Sequence, residues 1–321
     1  MIRYLRMLKM SLIRQVCQLP CQRAARGSGR QTHVDPRVVG PLGLLTALAL
    51  GAATGTANAA NPSPEMTAFD QAAAGAWREI FFDAGDEDWT QRWFLDGEVG
   101  TIKNGPQGME LTAGPEFMND AHHVVLWTKD SFAGDLKIEY DYTRLDAEDR
   151  CVTILYIQAT GSGHGPYHPD IARWNELRRV PAMSVYFDHM HTYHLSYAAF
   201  EGNDTTSYVR ARRYVPERSG LEGTDLKPDY FPTGLFRTGA SHRITVIKRF
   251  RELLVRIENG EQTVYCHMTN PHLPDIAEGR VGLRHMFTRA ARYRNFRISA
   301  PAAGGRSVRG EGSDPASGPP R

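Results

Sequence analysis

KIEYDYTRL, residues 137–145, alternates without a break. Ile138, Tyr140 and Tyr142 fall on one side of an extended chain, and Lys137, Glu139 and Asp141 on the other. A period of two is the pattern of a strand with one face buried and one in water. On either side of it the chain stays strand-like. Ala121–Lys129 (AHHVVLWTK) is apolar through most of its length, as a strand covered on both faces would be, and Cys151–Ala159 (CVTILYIQA) is rich in β-branched and aromatic residues. Further strands are expected at Ser184–Asp188, Tyr193–Ala199, Ser207–Tyr214, His242–Lys248, Leu253–Asn259, Thr263–His267, Arg280–Phe287 and Tyr293–Ser299. In Glu258–Glu261 (ENGE), Asn-Gly offers the positive φ angles of a two-residue hairpin turn. Many short strands separated by turn signals predict an all-β antiparallel sandwich, one domain with little helix.

Two segments depart from that pattern. Gly161–Arg179 (GSGHGPYHPDIARWNELRR) opens on glycines and then suits one short helix, and Pro216–Leu235 reads as a long loop. Loops of such length in a compact domain are commonly functional or disordered. The aromatic and cationic side chains of the first favour function.

The ends carry different signals. Gly40–Ala53 (GPLGLLTALALGAA) is an uncharged apolar run too short to span a bilayer, followed by Ala57-Asn58-Ala59, the small-x-small pattern of signal-peptide cleavage. Residues 1–59 are therefore expected to be a signal peptide with an extended basic leader, cleaved near Ala59 to give a secreted or periplasmic protein with no stable membrane span. Residues 60–76 read as a linker, 77–299 as the sandwich and 300–321 as a disordered tail rich in Pro, Gly, Ser and Ala. The leader holds 8 of the 38 basic residues and 1 of the 36 acidic ones, so the remainder carries 30 against 35, a net charge of −5. That balance excludes a general nucleic-acid footprint. Of the four cysteines only Cys151 and Cys266 lie beyond the leader; they either pair or stay buried, and neither sits in a metal-ligand spacing.

The strands in order, DAHHVVLWTKDSFAGDLKIEYDY (120–142), HLSYAAFEG (194–202), YVRARRY (208–214) and GRVGLRHMFTRAARYRNFRI (279–298), resemble the YesU-like family. This is a family of unknown function among the concanavalin A-like (galectin-type) proteins. The resemblance covers about Trp77 to Ser299. It implies a jelly-roll sandwich of two antiparallel sheets, a setting in polysaccharide breakdown, and a sugar-holding groove on the concave sheet. It supplies no catalytic residues.

The residues themselves offer several chemistries. Glu139 and Asp141, two apart on one strand face, have the spacing a retaining glycoside hydrolase needs for its two carboxylates, or else form a solvated strand surface. A lyase acting on a uronate-containing polysaccharide by β-elimination needs a proton-transfer pair and cations for the carboxylate. His194 and Tyr197 are the candidates for the pair, and Arg210 and Arg212 for the cations, since Arg takes carboxylates bidentately. By strand parity His194 shares a face with Ser196, while Tyr193, Leu195 and Tyr197 share the other; Arg213 breaks the parity of the two arginines and reads as surface. Gln158, His122, Trp174, Tyr208, His189 and His191 are candidate substrate contacts, each with a structural alternative: buried amide, strand histidine, loop anchor, core aromatic or rim residue. The histidine-rich Asp188–Tyr197 (DHMHTYHLSY) reads as a turn or bulge followed by a strand from Tyr193, not as a metal nest. No cofactor is expected, with a loop-bound structural calcium left open. Elimination on an acidic glycan, a non-catalytic glycan-binding module using Trp174 as a stacking platform, and hydrolysis through Glu139 and Asp141 all remain open at this level.

Overall fold

A computed structural model of the chain describes residues 61–202, 207–218 and 220–302. The leader, the cleavage position near Ala59 and the tail beyond residue 302 lie outside the described residues.

The first element corrects the expected linker. Pro64–Ala73 is a helix, α1, capped by Ser63, whose Oγ accepts from the Met66 amide at 3.1 Å, with Pro64 where a missing N–H costs nothing. Its Phe69 and Ala72 bury against Ile247 and Leu254. Sixteen strands follow among the described residues: β1 (Trp77–Asp83), β2 (Trp93–Asp96), β3 (Thr101–Gly105), β4 (Gly108–Thr112), β5 (Val124–Thr128), β6 (Phe132–Ala133), β7 (Leu136–Arg144) and β8 (Arg150–Gly161). After α2 (Met183–Phe187) come β9 (Met190–Glu201), β10 (Ser207–Tyr214), β11 (Asp225–Tyr230), β12 (Ser241–Arg249), β13 (Glu252–Glu258), β14 (Thr263–Thr269), β15 (Glu278–His285) and β16 (Ala290–Pro301).

Hydrogen-bonded neighbours run β2-β5-β15-β8-β9-β10 in a front sheet and β14-β13-β12-β7-β16-β4-β3 in a back sheet. β11 joins them, pairing with β10 on one side and with β14 on the other. The pairings are antiparallel, as the alternation of KIEYDYTRL implies. Ile138, Tyr140 and Tyr142 are fully buried between the sheets. Tyr140 stacks on Phe296 with centroids 5.2 Å apart, and Tyr142 meets Tyr197 edge-on at the same separation. Such edge and offset contacts add about 0.5–1.5 kcal/mol each beyond area burial.

Local differences from the sequence reading have identifiable causes. Residues 183–187 are helical rather than extended, and the helix expected within 161–179 is a 3-10 segment, Ile171–Arg178, started by Asp170, which accepts from the Ala172 amide. The supposed loop 216–235 contains β11. At the β13–β14 turn only Gly260 takes a positive φ, 82°, while the Asn259 carboxamide accepts from the amides of Glu261 and Gln262. The strand expected from Ala121 starts at Val124, because Asp120–His122 forms a 3-10 turn. Ala300 and Pro301, assigned to the tail by the sequence reading, lie in β16 and pair with Arg78 and Trp77. Cys151 and Cys266 are buried in different apolar clusters and do not pair with each other.

The outer face of the front sheet is covered by the chain between β8 and β9. Trp174, Met183, Tyr186 and Phe187 pack onto Val125, Trp127, Ile154 and Tyr156. One carboxylate, Asp96 on β2, fastens this cover. It accepts from Trp127 Nε1 (2.7 Å), Arg178 Nε (2.6 Å), Asn175 Nδ2 (2.6 Å) and the Tyr186 hydroxyl (2.9 Å). Asp96 and Arg178 side chains are both 0% exposed. Removing one partner from such a pair leaves a buried charge without compensation. Asp96→Ala is therefore expected to lower unfolding free energy by about 3–5 kcal/mol in guanidinium titrations and to make the 161–189 segment the first site of limited proteolysis.

Candidate functional site

The expected site residues divide between three places. His194, Arg210 and Arg212 come together on the outer face of the front sheet, because β9 and β10 align Arg212 with His194 and Arg210 with Ser196. Tyr197 does not join them. Strand parity turns it to the opposite face, where it is fully buried among Tyr140, Tyr142 and Tyr293, so the expected His194–Tyr197 proton pair is divided by the sheet. The phenol beside His194 is Tyr214, whose hydroxyl bonds Nδ1, while Nε2 lies 2.6 Å from Ser196 Oγ. Burial first, then the charges of Arg212, Arg284 and Arg210, hold the His194 pKa well below that of a free imidazole, so the ring is neutral.

The two arginines are engaged within the protein. Arg210 Nε lies 3.1 Å from Asp229 Oδ2, and Arg212 Nε 3.1 Å from Asp225 Oδ1, both acids coming from β11. The expectation that they neutralise a uronate is corrected accordingly: each already has its carboxylate. Tyr208 is buried beneath Arg210, 5.0 Å from ring centroid to guanidinium carbon.

Five other residues are engaged in contacts within the protein. Gln158 sits at a bulge with φ 55°, and its amide donates to the carbonyls of Phe132 and Gly134. His122 accepts from the Glu116 amide at 2.8 Å in the turn before β5. Trp174 is 3% exposed, donates to the His168 carbonyl and lies under the Arg178 guanidinium, so it anchors the cover and offers no stacking platform. Glu139 is bound to Lys137 and Arg243, and Asp141 to Arg243 and Asn295, on the outer side of the back sheet.

His189 and His191 lie at the rim, as their place in the sequence suggests, although the strand begins at Met190. They open onto a run of three cavities across one end of the sandwich. The central one, of about 510 Å³, is lined by His191, Arg213, Glu217, Asp275 and Glu278 among others. A second, of about 430 Å³, adds Tyr167, Asp188 and His189 and shares Glu217 with the first. A third, of about 400 Å³, adds Phe250, Arg251 and Glu252 and shares Asp275. Each falls within the roughly 300–1,000 Å³ of small-ligand sites.

The groove has a built floor. Tyr193 rises from the core to donate its hydroxyl to the Phe250 carbonyl (2.9 Å), 3.3 Å from Asp275 Oδ1. Buried Lys248 holds Asp275 at 3.1 Å and the Ile276 carbonyl at 2.6 Å. Arg213 donates to the carbonyls of Pro274 and Tyr214 and lies beside His191, which faces Glu217 at 3.3 Å. Burial pulls the Arg213 pKa down to about 10. Tyr167 stacks on His189 with centroids 3.6 Å apart and planes at 8°. Arg213, Glu217, Asp275 and Tyr167 were not among the expected site residues. Arg213 had a usable signal, since its parity matches core-facing Val209 and Ala211. Among the described residues no group of three or more His, Cys, Asp or Glu side chains is placed to hold a metal ion, and no helix is long and apolar enough to cross a membrane.

The sequence model of the family described as "Domain of unknown function (DUF1961)" matches residues 84–298. No curated protein sequence matches the chain. Among solved structures, a Bacillus subtilis protein of unknown function with a galectin-like fold is similar over 71% of this chain and 100% of its own, at 18% identity and a TM-score of 0.52. The carbohydrate-binding module CBM66 from Bacillus subtilis is similar over 65% of this chain and 95% of its own, at 11% identity and a TM-score of 0.40. The exoplasmic/lumenal domain of VIP36, in its Ca2+/Man3GlcNAc-bound form, is similar over 70% and 89%, at 10% identity and a TM-score of 0.45. At these identities the likeness to the first shows the fold, the galectin-like member of the concanavalin A-like sandwiches expected from the sequence.

The histidines also set an acid limit on stability. Burial lowers the pKa of His242 to about 4 and of His285 to about 3, and holds that of His194 well below its usual value. The unfolded chain protonates these rings near pH 6.5 while the folded one does not. Stability is thus complete above about pH 6.5 and declines as pH falls through the window down to about 4 for His242 and about 3 for His285. Urea midpoints measured from pH 7.5 to 4.5 should fall with acidification, and His242→Gln should flatten the slope.

Proposed function

The chain belongs to the DUF1961 family, and from that premise we propose that it is an exported glycan-binding sandwich whose ligand lies in the end groove rather than on the outer face of the front sheet. The observation that carries this reading is the grouping of three cavities, neighbours through the shared lining residues Glu217 and Asp275, at the end of a sheet whose outer face is filled by Trp174, Tyr186 and Phe187. Sugar recognition uses planar polar side chains that bind pairs of hydroxyls, with a ring against which a pyranose can lie. Arg213, Glu217, Asp275 and His191 supply the first, and the Tyr167–His189 pair the second.

The charge of the groove bears on the choice of glycan. Asp188, Glu217, Glu252, Asp275 and Glu278 line it against Arg213 and Arg251, which favours hydroxyl-rich, uncharged sugars over uronates. The elimination reading loses both its proton pair and its free cations, and hydrolysis through Glu139 and Asp141 loses its open carboxylates. The export expected from the leader fits an extracellular glycan as ligand.

Calorimetric titration against a panel of neutral and uronate-containing oligosaccharides tests the proposal. Binding is expected with neutral members, and Tyr167→Ala and His191→Ala are each expected to weaken it at least tenfold, the equivalent of about 1.4 kcal/mol, without loss of the folded signal. Affinity unchanged in both variants would remove the groove from consideration; silence across the panel would remove glycan binding.

A further inference from the structure

The tip of the β12–β13 hairpin carries a strain that the fold does not use. Arg249 pairs with Glu252, so Phe250 and Arg251 form a two-residue turn. Phe250, the first of the two, has φ 47°, a left-handed conformation that suits glycine or asparagine and crowds a bulky side chain. Where a positive φ falls on Gln158, Ala198 and Phe236, each side chain is fully buried. Phe250 is instead 46% exposed. Among the described residues its ring makes no contact with another aromatic side chain. A strained position is thus occupied by an aromatic residue left half in water, where glycine would relieve the backbone and expose less apolar surface.

Both turn residues are held by their surroundings. The Phe250 amide donates to Asp135 Oδ1 at 3.2 Å, and its carbonyl accepts from the Tyr193 hydroxyl at 2.9 Å. Arg251 donates to the Pro271 carbonyl at 2.8 Å, and its own carbonyl accepts from Thr269 Oγ1 at 3.4 Å. Backbone strain persists where neighbouring structure over-determines it, and such places concentrate at ligand sites. Here the bonds set Phe250 in the wall of the third cavity, beside Arg251 and Asp275. Asp275 also lines the central cavity and lies 3.3 Å from the same Tyr193 hydroxyl. The second and third cavities have no lining residue in common, while each shares one with the central cavity. The order is therefore second, central, third, with the Tyr167–His189 stack in the first of these and Phe250 in the last.

We infer that Phe250 is a second sugar-stacking platform, and that the groove takes a linear neutral glycan at least three units long. The inference rests on the reading of the end groove as the glycan site. A sugar ring presents C–H bonds on one face, and an aromatic face offers them apolar contact and the negative side of its quadrupole. With one unit in each cavity, the Tyr167–His189 pair meets one end of the ligand and Phe250 the other. His191, Glu217, Arg213 and Asp275 bind hydroxyls between them. The exposed area of Phe250 leaves water only when a ligand covers it, so the ring contributes only to chains that reach the third cavity. The held turn places the ring before the ligand arrives, which limits the ordering that binding requires.

The test is calorimetric titration of the whole chain with linear oligomers of glucose, of mannose and of fructose, from dimer to pentamer. In a series that binds, wild-type affinity is expected to rise at least tenfold between dimer and tetramer. Phe250→Gly should remove that rise and leave dimer affinity unchanged, whereas Phe250→Tyr, which keeps the ring face, should retain it. Because glycine suits φ 47°, Phe250→Gly should not lower the thermal midpoint, a readout that a packing role for the ring would move downward. Equal wild-type affinity for dimer and tetramer, or a rise preserved in Phe250→Gly, would overturn this inference and leave the groove as a glycan site. Loss of the rise together with a lowered midpoint would assign the ring to packing and overturn it as well. Silence of every series would overturn both readings.

Discussion

The carboxylate of Asp96 decides what the front sheet can do. An indole, a guanidinium, a carboxamide and a phenol converge on it, and both it and its arginine are out of reach of water. A charge in that position is tolerable only when its hydrogen bonds are all supplied by the protein. The carboxylate comes from β2, whereas three of the four donors come from the segment between β8 and β9. Satisfying the charge and closing the sheet face are therefore one event. Closure in turn stacks Trp127, Tyr156 and Tyr186 into a column, with planes within 14° and 2° of parallel at its two contacts. A face that an open sandwich could offer to a ligand becomes a second, polar core.

Patterns local to one strand were legible in the sequence, and pairings across strands were not. The alternation in KIEYDYTRL placed Ile138, Tyr140 and Tyr142 correctly because parity is a property of the backbone alone. The same parity placed His194 and Tyr197 on opposite faces, and their adjacency in sequence was a poor guide to chemistry. The acids that hold Arg210 and Arg212 were hidden because β11, with sequence DLKPDY, carries a proline and no clean alternation. Register was hidden for a similar reason: a bulge between Tyr208 and Arg210 shifts the β9–β10 ladder, and no residue spacing announces it. Helix α1 had a readable start in Ser63-Pro64-Glu65, an N-cap followed by proline and an acid, but lay in a stretch assigned to a linker.

The end groove exists for the reason that the face is closed. Strands β8 and β10 end there while β9 and β15 begin there, so the last inward-pointing side chains of the front sheet have no opposite layer to bury them. Tyr193 shows the transition: its ring belongs to the core, while its hydroxyl already bonds loop atoms at Phe250 and Asp275. His191, two residues earlier with the same parity, emerges as a groove residue for purely geometric reasons. Arg213 does the same at the end of β10.

Charge balance then limits what such a molecule can recognise. On the covered face Arg210 and Arg212 are matched by Asp229 and Asp225, and in the groove Lys248 is matched by Asp275. A ligand carboxylate would gain a charge-assisted hydrogen bond worth about 1.5–3 kcal/mol, but taking a cation from Asp229, Asp225 or Asp275 gives up an ion pair already formed. The exchange does not favour the anion. A hydroxyl, by contrast, can donate to Asp275 or Glu217 and accept from Arg213 without breaking any ion pair, since Arg213 is held by carbonyl oxygens rather than by a carboxylate. The arginines that made an acidic substrate attractive in the sequence are the same residues whose pairing in the fold argues for a neutral one.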